Sequence, residues 1–483
     1  MKIKSMKKIL KFIIVIGMIL VIFLLIYSNK IYTGRPPAAR QGRLDLSQWD
    51  FVENGSVNLN GEWEFYDNQL LTPDDFNGKG NKLPKLTGYA DLTSSVLKNK
   101  NTKLSNPIGV KTYRLVVKIK PSNNTYGLKI GNIKMSNKVF VNGDIKGERG
   151  NPAEKNNGYV PSNIPYCTYF NINGDKAEII IQTANFEYPF AGTMYKINFG
   201  LQDNINYANI ISISIEMIGS VLTLLFGMYY LGVYFNRERD KRFLSTGLYF
   251  FTIPATLLFN GEKLVMQLFP GIPSELMSKV QQISFILTIV MLSEIMNQLD
   301  KEILSDKAAK KVKIYSIIYI FIVVIADYSK YVYLLPFMYT IVTAFIMYII
   351  IKLLNTIVRE EFGSLHRSGT LILLKSLICL FIAIIINFMY NFRLLNSITF
   401  GSIAFFGYIL FMVNLQADIL SEAYKNMKEM SIELIKMDKV KDEFITKTSS
   451  ELKAPLFGII NIAETVIKEN KNDLSSKHIK DMH

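Results

Sequence analysis

Residues 450–455, with the sequence Ser-Glu-Leu-Lys-Ala-Pro, contain the side chains best suited to covalent chemistry in this chain. The hydroxyl of Ser450 is a potential nucleophile, and the adjacent carboxylate of Glu451 is a potential general base. A phosphoryl group on a serine oxygen would form a stable ester, which is unsuited to onward transfer. We therefore predict that this segment contains no intact catalytic site.

The cysteines and histidines do not form a second candidate centre. Cys167 lies in a polar region and Cys379 in an apolar one, so neither a disulfide nor a cysteine-based zinc site is expected. The sequence also lacks the Gly-x-x-x-x-Gly-Lys-Ser/Thr loop that cradles phosphates. We predict no cofactor and no metal, and we interpret the histidines as polar residues without a special role: His366, His478 and His483.

Three charged residues lie within strongly apolar stretches and could belong to a transport path: Glu216, Glu294 and Lys375. Each lies closer to an end of its stretch than to the middle, which favours snorkelling or pairing between helices. The sequence contains no pair of similar halves of the kind that inverted-repeat transporters show. Transport is therefore kept as a secondary alternative.

The apolar stretches predict a protein that crosses a membrane several times. The chain has 483 residues, of which 49% are hydrophobic. The first apolar stretch, 12–27, follows five lysines and is not followed by a small-x-small cleavage site, so an uncleaved anchor is favoured over a secretory signal. Seven further spans are predicted near 209–235, 244–260, 280–299, 313–329, 331–352, 371–390 and 397–416.

The positions of lysine and arginine predict the topology. Much of the net charge of +15 lies in short loops between the apolar stretches, which indicates topology rather than binding to nucleic acid. Positive residues cluster at 237–242 and 301–313, which predicts that these loops are cytoplasmic together with both termini. Residues 28–206 are then extracellular, and the lipid bilayer is a partner. The predicted outer loops contain only Lys263, Lys279, Lys330 and Arg393.

The extracellular segment has the pattern of a β-sandwich or jelly roll. Asn-Gly pairs at 54–55, 60–61, 142–143 and 173–174 favour the positive φ angles of tight turns. Short strand-like stretches lie between such turns, which is typical of an all-β domain. The predicted strands are 56–59, 62–66, 113–119, 126–130, 138–141, 177–182 and 194–199.

Four aromatic residues of this segment could line a groove for a ligand: Trp49, Trp63, Phe186 and Tyr188. Aromatic side chains of a sandwich pack in its core more often than they bind ligands. Both interpretations are kept at this stage.

Residues 417–447, which follow the last predicted span, have the pattern of a coiled coil. Apolar residues recur at alternating spacings of three and four, as in a seam that pairs two helices. Val440 and Phe444 extend this seam after two consecutive spacings of three, which overwinds a coil locally. We predict a dimeric signalling helix, with an ordinary surface helix as the alternative. The seam consists of Leu420, Ala423, Met427, Met430, Leu434 and Met437.

Residues 59–76 (Leu-Asn-Gly-Glu-Trp-Glu-Phe-Tyr-Asp-Asn-Gln-Leu-Leu-Thr-Pro-Asp-Asp-Phe) resemble the start of the extracellular domain of 7TM-DISM receptors. These are bacterial seven-transmembrane receptors with diverse intracellular signalling modules. Residues 113–115, 139–143 and 180–186 also fit the family, as does the order of a jelly-roll domain before seven spans. The resemblance implies a receptor in the bacterial plasma membrane that senses an unknown small ligand, with carbohydrate-like molecules as the first candidates.

Residues 441–464 resemble the phosphoacceptor box of the histidine-kinase dimerisation domain, HisKA. Ser450 stands where that family has its phosphoacceptor histidine, and Ala454 stands where it has the Thr or Asn that orients water. An imidazole forms a phosphoramidate with high transfer potential, whereas a serine hydroxyl does not. The resemblance therefore implies a helical dimerisation domain, with a bend at Pro455 and a turn near His478, that has lost both activities.

Together these observations predict a mixed membrane protein: anchor 1–27, β-sandwich 28–206, seven-helix bundle 207–416, coiled coil 417–447 and a partial helical-hairpin dimerisation domain at 441–483. The favoured interpretation is a non-catalytic receptor that forms a homodimer, or a heterodimer with a related histidine kinase. A sensor kinase whose kinase portion is missing through truncation is the alternative, and a transporter-like protein is the second. The predicted dimerisation residues are Leu420, Met427, Met430, Leu434, Met437, Phe444 and Pro455.

Overall fold

The computed structural model describes residues 37–91, 106–190, 197–236, 239–359, 367–391 and 399–480. Its first part consists mainly of β-strands and its second part of long helices. The predicted anchor at 12–27 and the residues His366 and His483 lie outside the described residues.

The strands all precede the long helices. Two short helices, α1 (Phe51–Asn54) and α2 (Pro73–Phe76), lie among them. The strands of the described residues are β1 Arg43–Asp45, β2 Val57–Asn58, β3 Glu62–Asp67, β4 Gly88–Asp91, β5 Gly109–Lys118, β6 Thr125–Ile130, β7 Ser136–Val141, β8 Asp144–Arg149, β9 Tyr166–Asn171, β10 Lys176–Asn185 and β11 Ile197–Leu201.

The strands form two sheets that enclose one hydrophobic core, and we refer to them together as the sandwich. The larger sheet has the order β4-β3-β5-β10-β7-β8, with β1 paired to β5, and the smaller has the order β2-β11-β6-β9. Alternate residues of a strand point to the same face. Leu115 and Ile179 of the larger sheet and Leu128 and Phe199 of the smaller sheet are fully buried in the shared core. The prediction of a β-rich domain is confirmed for the described residues.

The predicted strands overlap observed strands, and the sequence analysis missed four others. Asn142 and Gly143, with φ angles of 49° and 96°, join β7 to β8 as the Asn-Gly signal predicts. Strand β8 (Asp-Ile-Lys-Gly-Glu-Arg) was missed because this edge strand buries none of its residues and so lacks alternating apolar positions. Strands β1, β4 and β9 were also missed.

The second part of the chain is helical. Its helices are α3 Gln202–Asn236, α4 Lys241–Leu258, α5 Leu264–Leu268, α6 Ser274–Leu299, α7 Asp306–Ile325, α8 Tyr328–Tyr331, α9 Leu335–Arg359, α10 Arg367–Asn391 and α11 Thr399–Lys480, with a 3-10 turn at Val332–Leu334 between α8 and α9.

Five helical segments are long and apolar enough to cross a membrane, judged by length and composition. Each of the seven predicted spans coincides with a helix, but α4 and α7 are not among these five. Helix α4 begins with Lys241 and Arg242 and contains one serine and three threonines, which lower its mean hydropathy, and α7 has four lysines within its first eight residues. The chain is therefore a membrane protein by the character of its helices, and the count of seven spans stays a prediction. The five segments are Gln202–Asn236, Ser274–Leu299, Tyr328–Arg359, Arg367–Met389 and Ile403–Lys468.

Helix α11 has 82 residues and contains Pro455. The chain divides into two compact units, Met1–Leu415 and Gln416–His483. The predicted turn near His478 is wrong for the described residues, since α11 continues to Lys480. No proline or glycine follows Gly458, so the sequence of this segment contains no strong helix-stop signal.

Candidate functional site

The two tryptophans that were candidates for ligand binding belong to the interior of the sandwich. Trp63 is fully buried in the core, and its indole N–H donates to the carbonyl oxygen of Leu59 at 3.1 Å. Trp49 packs against the same core, and its indole N–H donates to the carbonyl oxygen of Gly55 at 3.0 Å. Both residues stabilise the sandwich, and Trp63 offers no surface to a ligand.

Phe186 and Tyr188, the other two candidates, lie where the sandwich meets the helices. Tyr188 is 7% exposed and belongs to a hydrophobic cluster that also contains Tyr331 and Val332 from the segment between α7 and α9. Phe186 packs against this cluster. We call the following set the aromatic contact: Tyr159, Phe186, Tyr188 and Phe190 of the sandwich, with Tyr331, Val332 and Tyr333.

Ring packing holds the aromatic contact together. Phe186 packs edge-on against Tyr159 with centroids 5.1 Å apart, and Phe190 packs against Tyr333 across the boundary at 6.2 Å. Such pairs contribute about 0.5–1.5 kcal/mol each beyond the burial of their surfaces. Burial, and then the nearby carboxylate of Glu275, raise the pKa of Glu187, which lies within the same segment.

A second connection between the sandwich and the helices is covalent and has no linker. Strand β11 ends at Leu201, and helix α3 begins at the next residue, Gln202. The side-chain amide of Asn204 donates to the carbonyl oxygen of Phe51 at 2.6 Å, and Tyr169 of β9 hydrogen-bonds to Asn206. The start of α3 is therefore held to α1 through Asn204 and to β9 of the smaller sheet through Asn206.

The third connection is a polar network at the loop between α4 and α5. The amine of Lys129 on β6 donates to Oε1 of Glu262 at 2.7 Å, and these side chains are only 10% and 13% exposed. The backbone N–H of Glu262 donates to Oε1 of Glu216 on α3 at 2.8 Å. Glu262 therefore joins the sandwich to α3 through its side chain and its main chain.

The neighbours of Glu262 shape this loop. Gly261 has a φ of 51°, and a Cβ atom there would lie 1.9 Å from Oε1 of Glu216, so only glycine fits without a shift. Lys263, also left-handed at 54°, is buried and donates from its amine to the side-chain oxygen of Asn163. We call these residues the clasp: Lys129, Asn163, Glu216, Gly261, Glu262 and Lys263.

Some buried polar atoms of the clasp have no hydrogen-bond partner among the described residues. They are the Oε2 atoms of its two carboxylates, those of Glu216 and Glu262. Burial, and then the charge of nearby Lys134, lower the pKa of the Lys263 amine well below its ordinary value. A buried polar network that is incompletely paired gives less stability than a fully paired one.

The other charged candidates have simpler surroundings. Glu294 on α6 forms an ion pair with Lys313 on α7, and its Oε1 accepts a 2.9 Å hydrogen bond from Gln298. Lys375 on α10 is exposed. The Glu294–Lys313 ion pair is of the kind expected for pairing between helices. Glu216 is therefore the member of the predicted set that lies in the network beside the sandwich.

At the C-terminal unit, the residues of the predicted degenerate phosphoacceptor segment lie on one exposed stretch of α11. Ser450, Glu451 and Ala454 are exposed. The Ser450 hydroxyl donates to the carbonyl oxygen of Lys447 at 2.8 Å, a hydrogen bond within the helix. Among the described residues no group of three or more His, Cys, Asp or Glu side chains could hold a metal ion.

The predicted dimerisation seam also lies on α11. Leu420 is 5% exposed, whereas Met437 is 65% and Phe444 is 68% exposed. Apolar side chains with so much exposed surface are suited to a partner helix. The remaining seam residues Met427, Met430 and Leu434 and the helix residue Pro455 are likewise exposed.

Comparisons with known proteins found only partial likenesses to solved structures. No family model matches the sequence, and no curated protein matches it. Among solved structures, a GH2 β-galacturonidase from Eisenbergiella tayi bound to glycerol is similar at 11% identity over 30% of this chain and 24% of that chain, with a TM-score of 0.22. A β-glucuronidase from Ruminococcus gnavus is similar at 15% identity over 30% of this chain and 28% of that chain, with a TM-score of 0.23. The matched region is under a third of either enzyme, and likeness at this level supports no functional argument.

Sequence analysis identified Glu216 as an unusual charge but missed Lys129 and Glu262. A polar segment between two apolar stretches, Asn260-Gly-Glu-Lys263, was the available signal. The partners Lys129 and Glu262 are 133 residues apart, so no local pattern joins them.

Proposed function

We propose that this protein is a membrane signal-transduction receptor of the bacterial plasma membrane. Its sandwich senses an extracellular small ligand, its helical bundle crosses the membrane seven times, and α11 carries the signal into the cytoplasm as a dimeric helix. The chain itself has no kinase activity in this proposal, because Ser450 occupies the phosphoacceptor position. Its partner is a second copy of the chain or a related histidine kinase.

The direct junction of β11 with α3 is the observation that carries the proposal. Because α3 begins at Gln202 with no intervening residue, a tilt of the smaller sheet must also tilt the first turn of α3. The hydrogen bond from Asn204 to Phe51 resists bending at this point. A flexible tether would instead absorb such a motion, as expected for a domain that only binds or delivers a substrate.

The apolar seam of α11 supports the output step. Its methionines at 427, 430 and 437 are exposed and packed by few neighbours. Methionine side chains adapt to changed surroundings at low cost, which suits an interface that must shift between two arrangements. The proposed output is therefore a change in the pairing of two α11 helices.

Cysteine cross-linking of the full-length chain in membrane vesicles tests this proposal. In a background with Cys167→Ala and Cys379→Ala, Met437→Cys should form a disulfide-linked dimer under mild oxidation. Lys439→Cys, two residues along the helix and off the seam, is the matched control and should cross-link at least several-fold more slowly. Equal rates at the two positions, or no cross-linking at either, would remove the dimeric helix from the proposal.

A further inference from the structure

Apart from the covalent junction, the sandwich touches the helical part at the aromatic contact, at the clasp and at a small apolar cluster that Ile164 forms with Met266 and Met277. The aromatic contact and the clasp differ in chemistry. The aromatic contact is apolar: Tyr331 is 1% exposed, Val332 is fully buried and Tyr188 is 7% exposed. The clasp is polar and contains an ion pair and several hydrogen bonds. Different elements form the two contacts. The clasp involves β6 and the loop after α4. The aromatic contact involves the segment after β10 and the segment between α7 and α9.

Water affects the two contacts in opposite ways. Separating the aromatic contact would expose apolar surface, which water penalises in proportion to area. Opening the clasp would let water solvate Oε2 of Glu216 and Oε2 of Glu262, which lack hydrogen-bond partners among the described residues. Water would also solvate the buried amine of Lys263. The free energy gained by solvating these groups offsets much of the free energy lost when the ion pair breaks. The clasp is thus the contact that opens more easily.

We propose that the clasp is a releasable latch and that the aromatic contact is the pivot about which the sandwich rocks when the latch opens. This inference rests on the proposed function and names the residues that regulate it. In the closed state Glu262 holds Lys129 of the sandwich and Glu216 of α3 together. Opening frees the smaller sheet and α3 from the loop after α4, while Phe190 stays packed against Tyr333.

The packing of Gly261 adds a reason for assigning the latch to this loop. A Cβ atom at this position would collide with Oε1 of Glu216, so the backbone of the loop lies directly against the carboxylate of this side chain. Two successive contacts from one short loop, Glu262 to Lys129 and Lys263 to Asn163, reach different parts of the sandwich. One movement of the loop therefore releases both.

Hydrogen exchange of the full-length protein in nanodiscs tests the latch directly. The amide of Glu262 is protected by its hydrogen bond to Glu216, and the amide of Tyr188 is protected by Asn185, at 2.8 Å in each case. In Lys129→Met, exchange at Glu262 should rise at least tenfold while exchange at Tyr188 and Tyr331 stays within twofold. The charge swap Lys129→Glu with Glu262→Lys should restore slow exchange. Lys138→Met, which removes an ion pair with Glu148 inside the sandwich, is the control and should leave all three unchanged.

Cross-linking at Met437→Cys is the second readout. Lys129→Met should change its rate at least threefold, and the charge swap should return it to the parent value. If Lys129→Met raised exchange at Tyr188 and Tyr331 as much as at Glu262, the division into latch and pivot would be overturned. Unchanged exchange at Glu262 would overturn it as well. Altered exchange at the clasp without any change in cross-linking would overturn its regulatory role. If Met437→Cys shows no preference over Lys439→Cys in the parent chain, the proposed function fails, and the exchange experiment still decides whether the clasp opens.

Discussion

Lys129 and Glu262 form a 2.7 Å ion pair between a strand of the sandwich and a loop of the helical part, with both side chains nearly enclosed. The pair is separated by 133 residues in the sequence. An ion pair at the surface of a protein contributes little, but removing one partner from an enclosed pair leaves an uncompensated charge. The pair is therefore expected to matter for the stability of the sandwich and of its attachment to the helices.

A double-mutant cycle on this pair measures that contribution. Lys129→Met or Glu262→Gln alone should lower the free energy of unfolding by about 3 kcal/mol, the low end of the range for breaking an enclosed pair. The double variant should lose less than the sum of the two, because neither charge is then left alone. Thermal unfolding in detergent micelles gives the midpoints, and strictly additive losses would show that the two side chains do not interact.

Gly261→Ala should destabilise the protein more than Gly78→Ala. Both glycines have left-handed φ angles, 51° and 72°, so both substitutions incur about 1–2 kcal/mol of backbone strain. Only at Gly261 does the new Cβ meet another atom, since nothing lies within 4 Å of the position at Gly78. Moving the Glu216 carboxylate aside would also break its 2.8 Å hydrogen bond from the backbone N–H of Glu262, which should add about 1–3 kcal/mol. Equal midpoints for the two variants would contradict the close approach of the loop to the Glu216 carboxylate.

Lys263 should make the protein less stable as the pH falls. Burial, and then Lys134, lower the pKa of this amine in the folded state, whereas the unfolded state has an ordinary lysine pKa. The folded protein therefore binds fewer protons between the two pKa values, and stability rises with pH across that interval and is lost as the pH falls through it. Comparing Lys263→Met with the parent from pH 10 down to pH 6 isolates this effect, because contributions common to both cancel. The parent's midpoint should fall relative to that of Lys263→Met. Lys118→Met, at an exposed ion pair with Asp45, should follow the parent.

Labelling with a membrane-impermeant maleimide tests the proposed topology. In the background with Cys167→Ala and Cys379→Ala, Val52→Cys places a thiol on the sandwich at a position that is 79% exposed, and Met437→Cys places one on α11 at a position that is 65% exposed. Intact cells should label Val52→Cys, whereas Met437→Cys should react only after permeabilisation. Labelling of both thiols from the same side would contradict a receptor that conducts a signal across the bilayer.

Much of the architecture could be predicted because it depends on local patterns. Runs of Ile, Leu and Phe predicted the helices, and alternating residues around Trp63 together with the Asn142-Gly143 pair predicted strands and a turn. The edge strand β8 could not be predicted, since all of its residues retain contact with solvent and its sequence lacks a period. The end of α11 was mispredicted because the resemblance to a hairpin domain outweighed the absence of any stop signal after Gly458.

The contacts of the candidate site were harder to predict from the sequence than the fold was. Glu216 stood out as a charge in an apolar stretch, but its partner is a backbone N–H at Glu262, which carries no signature. For the aromatic residues Phe186 and Tyr188 the sequence left open a ligand groove or the core of the sandwich, and in the structure they belong to a cluster that the sandwich shares with the helical part. Contacts between distant segments arise from tertiary packing, and the spacing of residues along one sequence gives no sign of them.

The junction of Leu201 with Gln202 limits how this chain can be re-engineered. An α-helix turns by about 100° per residue, so adding one residue there would rotate every side chain of α3 relative to the sheet by that angle. Glu216 would then face away from the loop that contains Glu262. Chimeras that graft another domain onto these helices must therefore keep both the helical phase and the length of the joint, because even a seven-residue insertion, close to two full turns, would move Glu216 about 10 Å along the axis and away from Glu262.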